Sequence, residues 1–422
     1  MPGLKNYSTV KIYLFDSSNS HKNLLPLSFT RPLADFRCGI LTIREKWERC
    51  LPGECYFYPM EYLRDKFGTV SDPDEEVLFI AGNILPRQEF LTVLKNLQSG
   101  CALIEEDKES ENPLDSILAF RGTLNQLLSQ KYNKTVSETS PVCIKYVFDI
   151  FLLNADEIKL DYVRLTAGRK SQPIPECVRA LCSSKIGSGQ NNLGSWQSEP
   201  VFIEEGAVVE CASINVNEGP VYIGKDTVLM EGACIRGPFA LCECSEVRMG
   251  AKIYEGTTIG PHCKVGGEIS NAVFFGYSNK AHDGYLGNAV IGEWCNIGAG
   301  TNASNLKNDY SLIRVWNYNT GKFMKTDLQF CGLIMGDHSK IGVNCMINTA
   351  TVIGVGVNIH GSGFPRSFVP CFCEGSPVTG FSHVPLKKFL DTAERVMSRR
   401  EIPLSEKEKD LLTHIYEYEE NY

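Results

Sequence analysis

The stretch IGKDTVLMEGACIRGPFALCECSEVRMGAKIYEGTTIGPHCKV, residues 223–265, decides the fold of the C-terminal half of the chain. Aliphatic residues recur in it at every sixth position: Ile223, Leu229, Ile235, Leu241, Val247, Ile253, Ile259 and Val265. A period of six fits neither an amphipathic helix nor an alternating strand. Short strands joined by tight corners have this period, because each strand turns one aliphatic side chain toward a common axis. The sequence therefore predicts a left-handed parallel β-helix of hexapeptide repeats over residues 201–383.

The six-residue register is interrupted twice, first at residues 267–287 and again at residues 302–333. It returns after each interruption, at Ile291 and Ile297 and then at Ile341, Ile347, Ile353 and Ile359. A β-helix can extrude a loop at a corner without disturbing its stack, and inserted loops often carry function. We therefore expect both interruptions to be functional insertions.

Residues 1–182 alternate between apolar runs and helical segments. VKIYLF at 10–15, VLFI at 77–80 and ILAF at 117–120 predict buried strands, and GTLNQLLSQKY at 122–132 predicts a helix. This alternation indicates an α/β sandwich of Rossmann type with a largely parallel sheet. Residues 183–200, rich in glycine, serine and asparagine, form the expected linker. Residues 384–422 predict helices that cap the open end of the β-helix or pack on a neighbouring subunit.

The composition excludes several classes of function. A formal net charge of −8 and a sequence pI near 5.6 argue against a nucleic-acid-binding protein, which needs a basic face to displace phosphate counterions. No apolar run is long enough to predict a membrane span, and the polar N-terminus does not resemble a secretory signal. The seventeen cysteines lack the spacing of structural zinc sites. We therefore expect a cytoplasmic protein with reduced cysteines.

The motif that carries chemistry is NKAHDGYLGNAVIGEWCNIGAGT, residues 279–301. It resembles the acetyltransferase half of the bifunctional glucosamine-1-phosphate acetyltransferase and N-acetylglucosamine-1-phosphate uridylyltransferase family. That family's motif is Lys-Ala-Gly/Pro-His, then Tyr-Leu-Gly, then Asn-Ile-Gly-Ala-Gly-Thr. The matching residues here are Lys280, Ala281 and His282, then Tyr285, Leu286 and Gly287, then Asn296 to Thr301. The resemblance implies acetyl-CoA-dependent N-acetylation of an amino-sugar 1-phosphate.

The resemblance also implies a role for each residue. An amine must lose a proton before it attacks a thioester, and histidine suits this step because its ordinary pKa of ~6.5 lies near the working pH. His282 is the expected general base, although a lone histidine is more often a surface or packing residue. The expected contacts to the sugar phosphate are Lys280, Tyr285 and Asn296. The expected lining of the acetyl-CoA groove is Ala299, Gly300, Thr301 and Asn305.

The chain departs from the family where the sugar phosphate binds. Ser270 and Asn271 stand where the family has a lysine pair. The second interruption is longer than in the family, and its cations include Arg314, Lys322 and Lys325. These cations either replace the missing charge or belong to a solvated loop.

The N-terminal half resembles a divergent bacterial branch of the same family, through residues 23–47 (NLLPLSFTRPLADFRCGILTIREKW) and 82–86 (GNILP). The resemblance implies a nucleotidyltransferase-like domain that uses UTP and Mg²⁺ to make UDP-N-acetylglucosamine. The usual glycine-rich loop is absent, so that Arg31, Arg37 and Lys46 are the expected donors to nucleotide phosphates.

The metal position of this domain is also altered. Asn83 stands where the family has a magnesium-binding aspartate, and an amide is a weaker ligand for a hard cation than a carboxylate. Either Asp16 or Asp161 replaces that aspartate, or the domain binds a nucleotide without turning it over.

Other functions compete with the two-site enzyme. The chief alternative is a sugar-phosphate nucleotidyltransferase whose β-helix serves only oligomerisation or regulation. A zinc hydratase on the same fold needs a pair of histidines five residues apart, and the seven histidines contain no such pair. A non-enzymatic scaffold would explain neither interruption. The long repeat and its polar interruptions predict a homotrimer that binds small molecules.

Overall fold

The computed structural model describes residues 10–105, 112–182 and 199–419. The chain forms two compact units. The first unit contains residues 1–36, 41–146 and 410–414, and the second contains residues 37–40, 147–409 and 415–422. The predicted linker lies mostly outside the described residues. The N-terminal stretch of the first unit extends to residue 146 rather than to the predicted 182, because the helix that follows packs on the β-helix.

The first unit is built on a six-stranded sheet of order β2-β1-β3-β5-β4-β6. Its strands are β1 (Ile12–Phe15), β2 (Cys55–Tyr58), β3 (Val77–Ala81), β4 (Cys101–Ile104), β5 (Ile117–Gly122) and β6 (Asn133–Val136). Its helices are α1 (Ser18–Asn23), α2 (Ile43–Cys50), α3 (Arg64–Phe67), α4 (Gln88–Lys95) and α5 (Leu124–Leu128). The α/β class is confirmed. The largely parallel sheet is wrong in part, because β5 runs antiparallel to both β3 and β4. A buried apolar run predicts a strand but not its direction.

The second unit is a parallel β-helix with three faces, as predicted. Face A contains Val201–Ile203, Val221–Ile223, Phe239–Leu241, Thr257–Ile259, Ile334–Met335, Val352–Ile353 and Phe368–Val369. Face B contains Val208–Val209, Val228–Leu229, Glu246–Val247, Lys264–Val265, Asn279–Lys280, Asn296–Ile297, Lys340–Ile341, Asn358–Ile359 and Cys373–Ser376, with Gly380–His383 paired antiparallel to the last of these. Face C contains Arg179–Leu181, Ser213–Asn215, Cys234–Arg236, Lys252–Ile253, Asn302–Ala303 and Met346–Ile347. Two longer strands, Glu268–Gly276 and Tyr285–Glu293, run from face C through the corner onto face A.

The hexapeptide period corresponds to one face of each coil. Val221 pairs with Phe239, eighteen residues later, so that three hexapeptides make one turn. The aliphatic position of each repeat is buried in a single core that runs the length of the β-helix. Small residues occupy the corners, where Ser245 Oγ donates to Gly260 O at 2.7 Å and accepts from Cys263 N at 2.9 Å. Hydrogen bonds of this kind satisfy the corner backbone without bulk.

The two interruptions of the repeat have different structures. The first is no insertion: Thr258 pairs with Val273 only fifteen residues later, so the coil is three residues short and stays in the wall. The second is a true insertion between faces C and A, and it carries a hairpin of Arg314–Asn317 and Lys322–Lys325. The prediction of two insertions is therefore wrong for the first interruption. A shift of register in the sequence results equally from lost and from added residues.

Helices cover part of the β-helix. The helix α6 (Asp149–Thr166) packs on face A, where Asn154 Nδ2 donates to Gly256 O at 2.7 Å and to Thr258 Oγ1 at 3.0 Å. Two C-terminal helices follow, α7 (Leu386–Ser398) and α8 (Glu406–Glu419). Phe389 of α7 packs on Phe372 of the last coil, and Arg400 donates to Asn279 Oδ1 at 3.1 Å. The segment thus follows the flank of the β-helix instead of only capping its end. No helix within the described residues is long and apolar enough to cross a membrane.

Candidate active site

The corner between faces B and C at residues 281–284 is an exposed part of the motif. His282 lies between the strands Asn279–Lys280 and Tyr285–Glu293, and its side chain is exposed. The corner of the next coil, residues 299–301, stacks directly on it, because Gly300 N donates to Asp283 O at 2.9 Å. The predicted general base and the predicted acetyl-CoA groove therefore lie on neighbouring coils at one corner.

Lys280 occupies the inward, aliphatic position of its repeat. It pairs in register with the core residue Val265 and is 1% exposed. Its ammonium donates to the backbone oxygens of Gly266 at 3.2 Å and His282 at 2.8 Å. Burial lowers the pKa of Lys280 to about 8. These contacts contradict the predicted contact of Lys280 with the sugar phosphate: its ammonium is turned inward and holds the corner that carries His282.

Tyr285 forms a polar cluster on face C beside this corner. Its hydroxyl accepts from Asn305 Nδ2 at 3.0 Å, and the same amide group donates to Asn288 Oδ1 at 2.7 Å. Gly287 makes room for the cluster, since an added Cβ would lie 2.2 Å from the Tyr285 hydroxyl oxygen. Burial raises the pKa of Tyr285, so that its hydroxyl stays a neutral hydrogen-bonding group. The structure thus brings Tyr285 and Asn305 together.

Asn296 lies on a different face from Tyr285. It is exposed on face B, where it pairs in register with Asn279 on one side and Lys340 on the other. The chain turns two corners between Tyr285 and Asn296, because each hexapeptide fills one face. The two predicted sugar-phosphate residues therefore flank the His282 corner on opposite sides instead of sharing one surface.

The predicted acetyl-CoA residues form a tight corner. Thr301 is buried, and its hydroxyl donates to Gly342 O at 2.8 Å and accepts from Cys345 N at 3.2 Å. Gly300 has a φ of 72°, and an added Cβ would lie 2.0 Å from Asn344 Oδ1. The Thr301 hydroxyl is therefore committed to the stack, and the half-exposed backbone of Ala299 and Gly300 is what this corner can offer a ligand.

Three cations of the second interruption lie on its hairpin. Arg314 pairs in register with Lys325, and both are exposed, as is Lys322. The Trp316 ring of the hairpin stacks on Phe368 at a centroid distance of 4.2 Å. This contact places the hairpin near the last face A strand.

A cavity of about 490 Å³ lies between face B and the end of α7, and we call it the basic cavity. Five cationic side chains line it: Arg248, Lys264, Lys340, Arg399 and Arg400. Asn296 and Ala281 also line it, so the cavity reaches the residue before His282. Sequence reasoning missed these cations because Arg399 and Arg400 lie far from the motif along the chain. The available signal was a basic pair at the end of an amphipathic helix.

In the first unit, the carboxyl ends of β1 and β3 meet at one edge of the sheet. Asp16 follows β1, and its Oδ1 accepts from Leu33 N at 3.0 Å. Asn83 follows β3, and its Nδ2 donates to Ile144 O at 3.0 Å. Gly82 lies beside both, since an added Cβ would be 3.3 Å from Asp16 Oδ1. Ligands of open α/β sheets bind at such carboxyl ends, which makes this edge the candidate nucleotide site.

The three predicted phosphate donors are buried or partly buried, and they belong to two different units. Arg31 is buried and lies 3.8 Å from Asp35 Oδ2, and Lys46 is fully buried. Arg37 belongs to the second unit, where its guanidinium donates to Ile40 O and lies 3.9 Å from Cys242 Sγ. The structure therefore shows none of the three as an exposed phosphate donor. Their role with nucleotide phosphates stays a prediction.

The two carboxylates predicted as alternative magnesium ligands, Asp16 and Asp161, belong to different units. Asp161 belongs to the second unit, where its carboxylate accepts from Arg164 Nη1 at 2.8 Å and Ile40 N at 3.0 Å. Asp16 keeps one oxygen without a hydrogen bond, 3.8 Å from His21 Nδ1. No group of three or more metal-ligating side chains occurs among residues 10–105, 112–182 and 199–419. The described residues do not fit a preformed magnesium site.

A family model described as sugar nucleotidyl transferase matches residues 12–170, which is less than half of the chain. Two similar relatives are both named bifunctional protein GlmU. The one from Gloeobacter violaceus is 31% identical over 118 residues, 28% of this chain and 22% of the relative. The one from Trichodesmium erythraeum is 30% identical over 142 residues, 33% of this chain and 25% of the relative. The matches thus span about a quarter of the relatives' own length.

Among solved structures, the UDP-N-acetylglucosamine acyltransferase of Francisella novicida covers 52% of this chain and 77% of its own, with 13% identity and a TM-score of 0.28. LpxA, a UDP-N-acetylglucosamine acyltransferase from Bacteroides fragilis, covers 52% of this chain and 96% of its own, with 15% identity and a TM-score of 0.22. At these scores the neighbours add nothing to the β-helix seen directly in the strand pairing.

Proposed function

We propose that this chain is a cytoplasmic two-site transferase of sugar-nucleotide biosynthesis. Its β-helix would acetylate the amine of an amino-sugar 1-phosphate with acetyl-CoA. Its first unit would transfer a uridylyl group from UTP to the acetylated sugar 1-phosphate, giving UDP-N-acetylglucosamine. The observation that carries the proposal is the exposed His282 at a corner on which the 299–301 corner stacks, with the Tyr285–Asn305 cluster on the adjoining face.

His282 would act as the general base of acetyl transfer. The substrate ammonium first releases one proton to solvent, and the exposed imidazole takes a second proton from the amine nitrogen as it attacks the thioester carbonyl carbon. A C–N bond forms, the C–S bond breaks, and CoA leaves as a thiolate that takes up the proton from the imidazolium. The inward Lys280 holds the backbone oxygen of His282 at 2.8 Å and so fixes the corner that carries the base.

Tyr285 would position the substrate from face C. Its hydroxyl is already oriented by Asn305 at 3.0 Å, so that less rotational freedom remains to be lost when a ligand binds. The narrow corner at residues 299–301 leaves backbone accessible beside it, which suits the pantetheine arm of acetyl-CoA.

The sugar site needs groups from more than one face. Tyr285 and Asn296 point away from the same corner on different sides, so a second copy that packs beside this corner would close the site. This geometry supports the predicted homotrimer. In a closed ring of three copies, the same subunit contact would close the site three times.

Nucleotidyl transfer rests on the family model over residues 12–170 and on the edge formed by Asp16, Gly82 and Asn83. The sugar phosphate oxygen would attack the α-phosphorus of UTP, and pyrophosphate would leave. The first unit would bind the nucleotide at the carboxyl ends of β1 and β3.

Incubation with glucosamine 1-phosphate, acetyl-CoA and UTP, with each omitted in turn and the products identified by mass, tests both halves. We expect N-acetylglucosamine 1-phosphate without UTP, and UDP-N-acetylglucosamine only with all three. Nucleotidyl transfer to N-acetylglucosamine 1-phosphate with no acetylation at all would leave the β-helix an assembly module and overturn the acetyltransferase half.

A further inference from the structure

The basic cavity is a concentration of positive charge on an acidic protein. The chain carries a formal net charge of −8, so five cations around one cavity do not follow from composition. They come from two elements that are far apart in the chain, face B and the end of α7. Like charges held together repel one another, and a site of this kind is stabilised when an anion binds between them.

Only part of this charge is neutralised by the protein. Glu246 lies 3.2 Å from Arg248 and 2.7 Å from Lys264. Lys340 donates to His338 O at 2.6 Å, and Arg400 to Asn279 Oδ1 at 3.1 Å, which are neutral partners. Within the described part of the chain, Lys340, Arg399 and Arg400 form no ion pair with an acidic side chain. Three positive charges therefore face the cavity without a counter-charge.

We propose that the basic cavity binds the phosphate group of the amino-sugar substrate, with Arg399, Arg400 and Lys340 as its cationic ligands. The volume of about 490 Å³ suits a small phosphorylated molecule. Guanidinium groups bind phosphate oxygens through paired N–H donors. The inference rests on the proposed acetyl transfer, and it adds the end of α7 to that site.

The cavity's position favours the sugar over the other phosphorylated substrate. Asn296 and Ala281 line it, and Ala281 is adjacent to His282, so a phosphate held there leaves the rest of the sugar at the His282 corner. No residue of the 299–301 corner lines the cavity. Coenzyme A also carries a phosphate monoester, and the experiment therefore separates the two.

A simpler role exists for the arginine pair. Cations at a helix C-terminus interact favourably with the helix dipole, and Arg399 and Arg400 follow the end of α7. That role requires no cavity and involves neither Lys264 nor Lys340. It also predicts a loss of stability in the arginine variants without a change in ligand binding.

The first test is direct binding of inorganic phosphate to the full chain, measured by calorimetry at fixed ionic strength. Replacing Arg399 and Arg400 together by Ala should weaken binding by roughly tenfold to a hundredfold, since each removes charge-assisted hydrogen bonds. Arg395→Ala is the matched control, because Arg395 is exposed on the same helix and does not line the cavity. Equal phosphate affinity in the double variant and the wild type would overturn the proposal.

The second test is kinetic and separates the phosphate sources. The double variant should raise the KM for glucosamine 1-phosphate by a similar factor and leave the KM for acetyl-CoA unchanged. A raised KM for acetyl-CoA that vanishes with acetyl-dephospho-CoA would assign the cavity to coenzyme A and overturn the proposal. The triple change of Arg314, Lys322 and Lys325 to Ala, on the hairpin, should leave both KM values unchanged.

The failure of this proposal is distinguishable from failure of the function. Wild-type protein that acetylates, with an unaffected double variant, keeps the acetyltransferase and removes the cavity from its site. Wild-type protein that binds phosphate through Arg399 and Arg400 yet acetylates no amino-sugar phosphate keeps an anion site but contradicts its assignment to this substrate.

Discussion

The trimmed coil at residues 267–287 and the inserted hairpin after Asn302–Ala303 interrupt the same repeat in opposite ways. In the trimmed coil every face keeps its strand, and backbone lies close to backbone at one corner, where an added Cβ on Gly284 would be 2.0 Å from Thr301 O. In the hairpin the added residues leave the wall and carry exposed cations. The trimmed coil holds the exposed histidine and its oriented neighbours. A β-helix can thus expose a histidine at a corner of its wall without extruding a loop.

Removing His282 should have the largest effect and tests the trimmed coil as the catalytic region. Loss of a general base costs about 10²–10⁴-fold in rate, so His282→Ala should reduce kcat for acetylation by that factor. Its exposed side chain packs little, and the melting temperature and oligomeric mass should stay unchanged.

The control is His360→Ala, which removes another exposed histidine of the same β-helix. This variant should acetylate at the wild-type rate. Wild-type activity in His282→Ala would remove acyl transfer from this corner, and equal losses in both variants would show that the assay reports stability instead.

A pair of glycine variants compares how tightly the two regions are packed. Gly284 has a φ of 124°, and an added Cβ would lie 2.0 Å from the backbone oxygen of Thr301. Gly321, at the hairpin tip, has a φ of 61° with nothing within 4 Å of an added Cβ. Gly284→Ala should lower the free energy of unfolding by at least about 3 kcal/mol, from strain and a backbone clash together.

Gly321→Ala should cost only about 1–2 kcal/mol, because backbone strain alone opposes it. Urea unfolding followed by circular dichroism measures both. Equal losses in the two variants would contradict the tight stacking of the trimmed corner on the corner above it.

The same comparison explains what could be predicted from the sequence. The aliphatic period predicted the β-helix because burial requires one apolar side chain per face, and each coil supplies three. It could not distinguish lost residues from added ones, because both shift the phase. The resemblance of the motif predicted roles for Lys280, His282 and Tyr285 in one site, with Lys280 as a contact to the sugar phosphate. Only the register with Val265 reveals that Lys280 points inward. The basic cavity could not be predicted, since α7 returns to face B through tertiary packing.

Lys280 provides the subtlest test, because its effect is a change of stability with pH. Burial lowers its pKa to about 8 in the folded protein, against an ordinary value of 10.5. Between these two pH values the unfolded chain binds more protons than the folded chain at this site, so the stability contributed at Lys280 rises as the pH increases from about 8 to about 10.5.

Lys280→Met removes that titration. The melting temperature of the wild type relative to Lys280→Met should therefore increase over this window and stay level below about pH 7. Lys322→Met, at the exposed hairpin, is the matched control for replacing a lysine by methionine. A constant difference between Lys280→Met and the wild type from pH 7 to 10.5 would mean that the ammonium is not buried as the structure has it, and the inward lysine would no longer distinguish the trimmed coil from the hairpin.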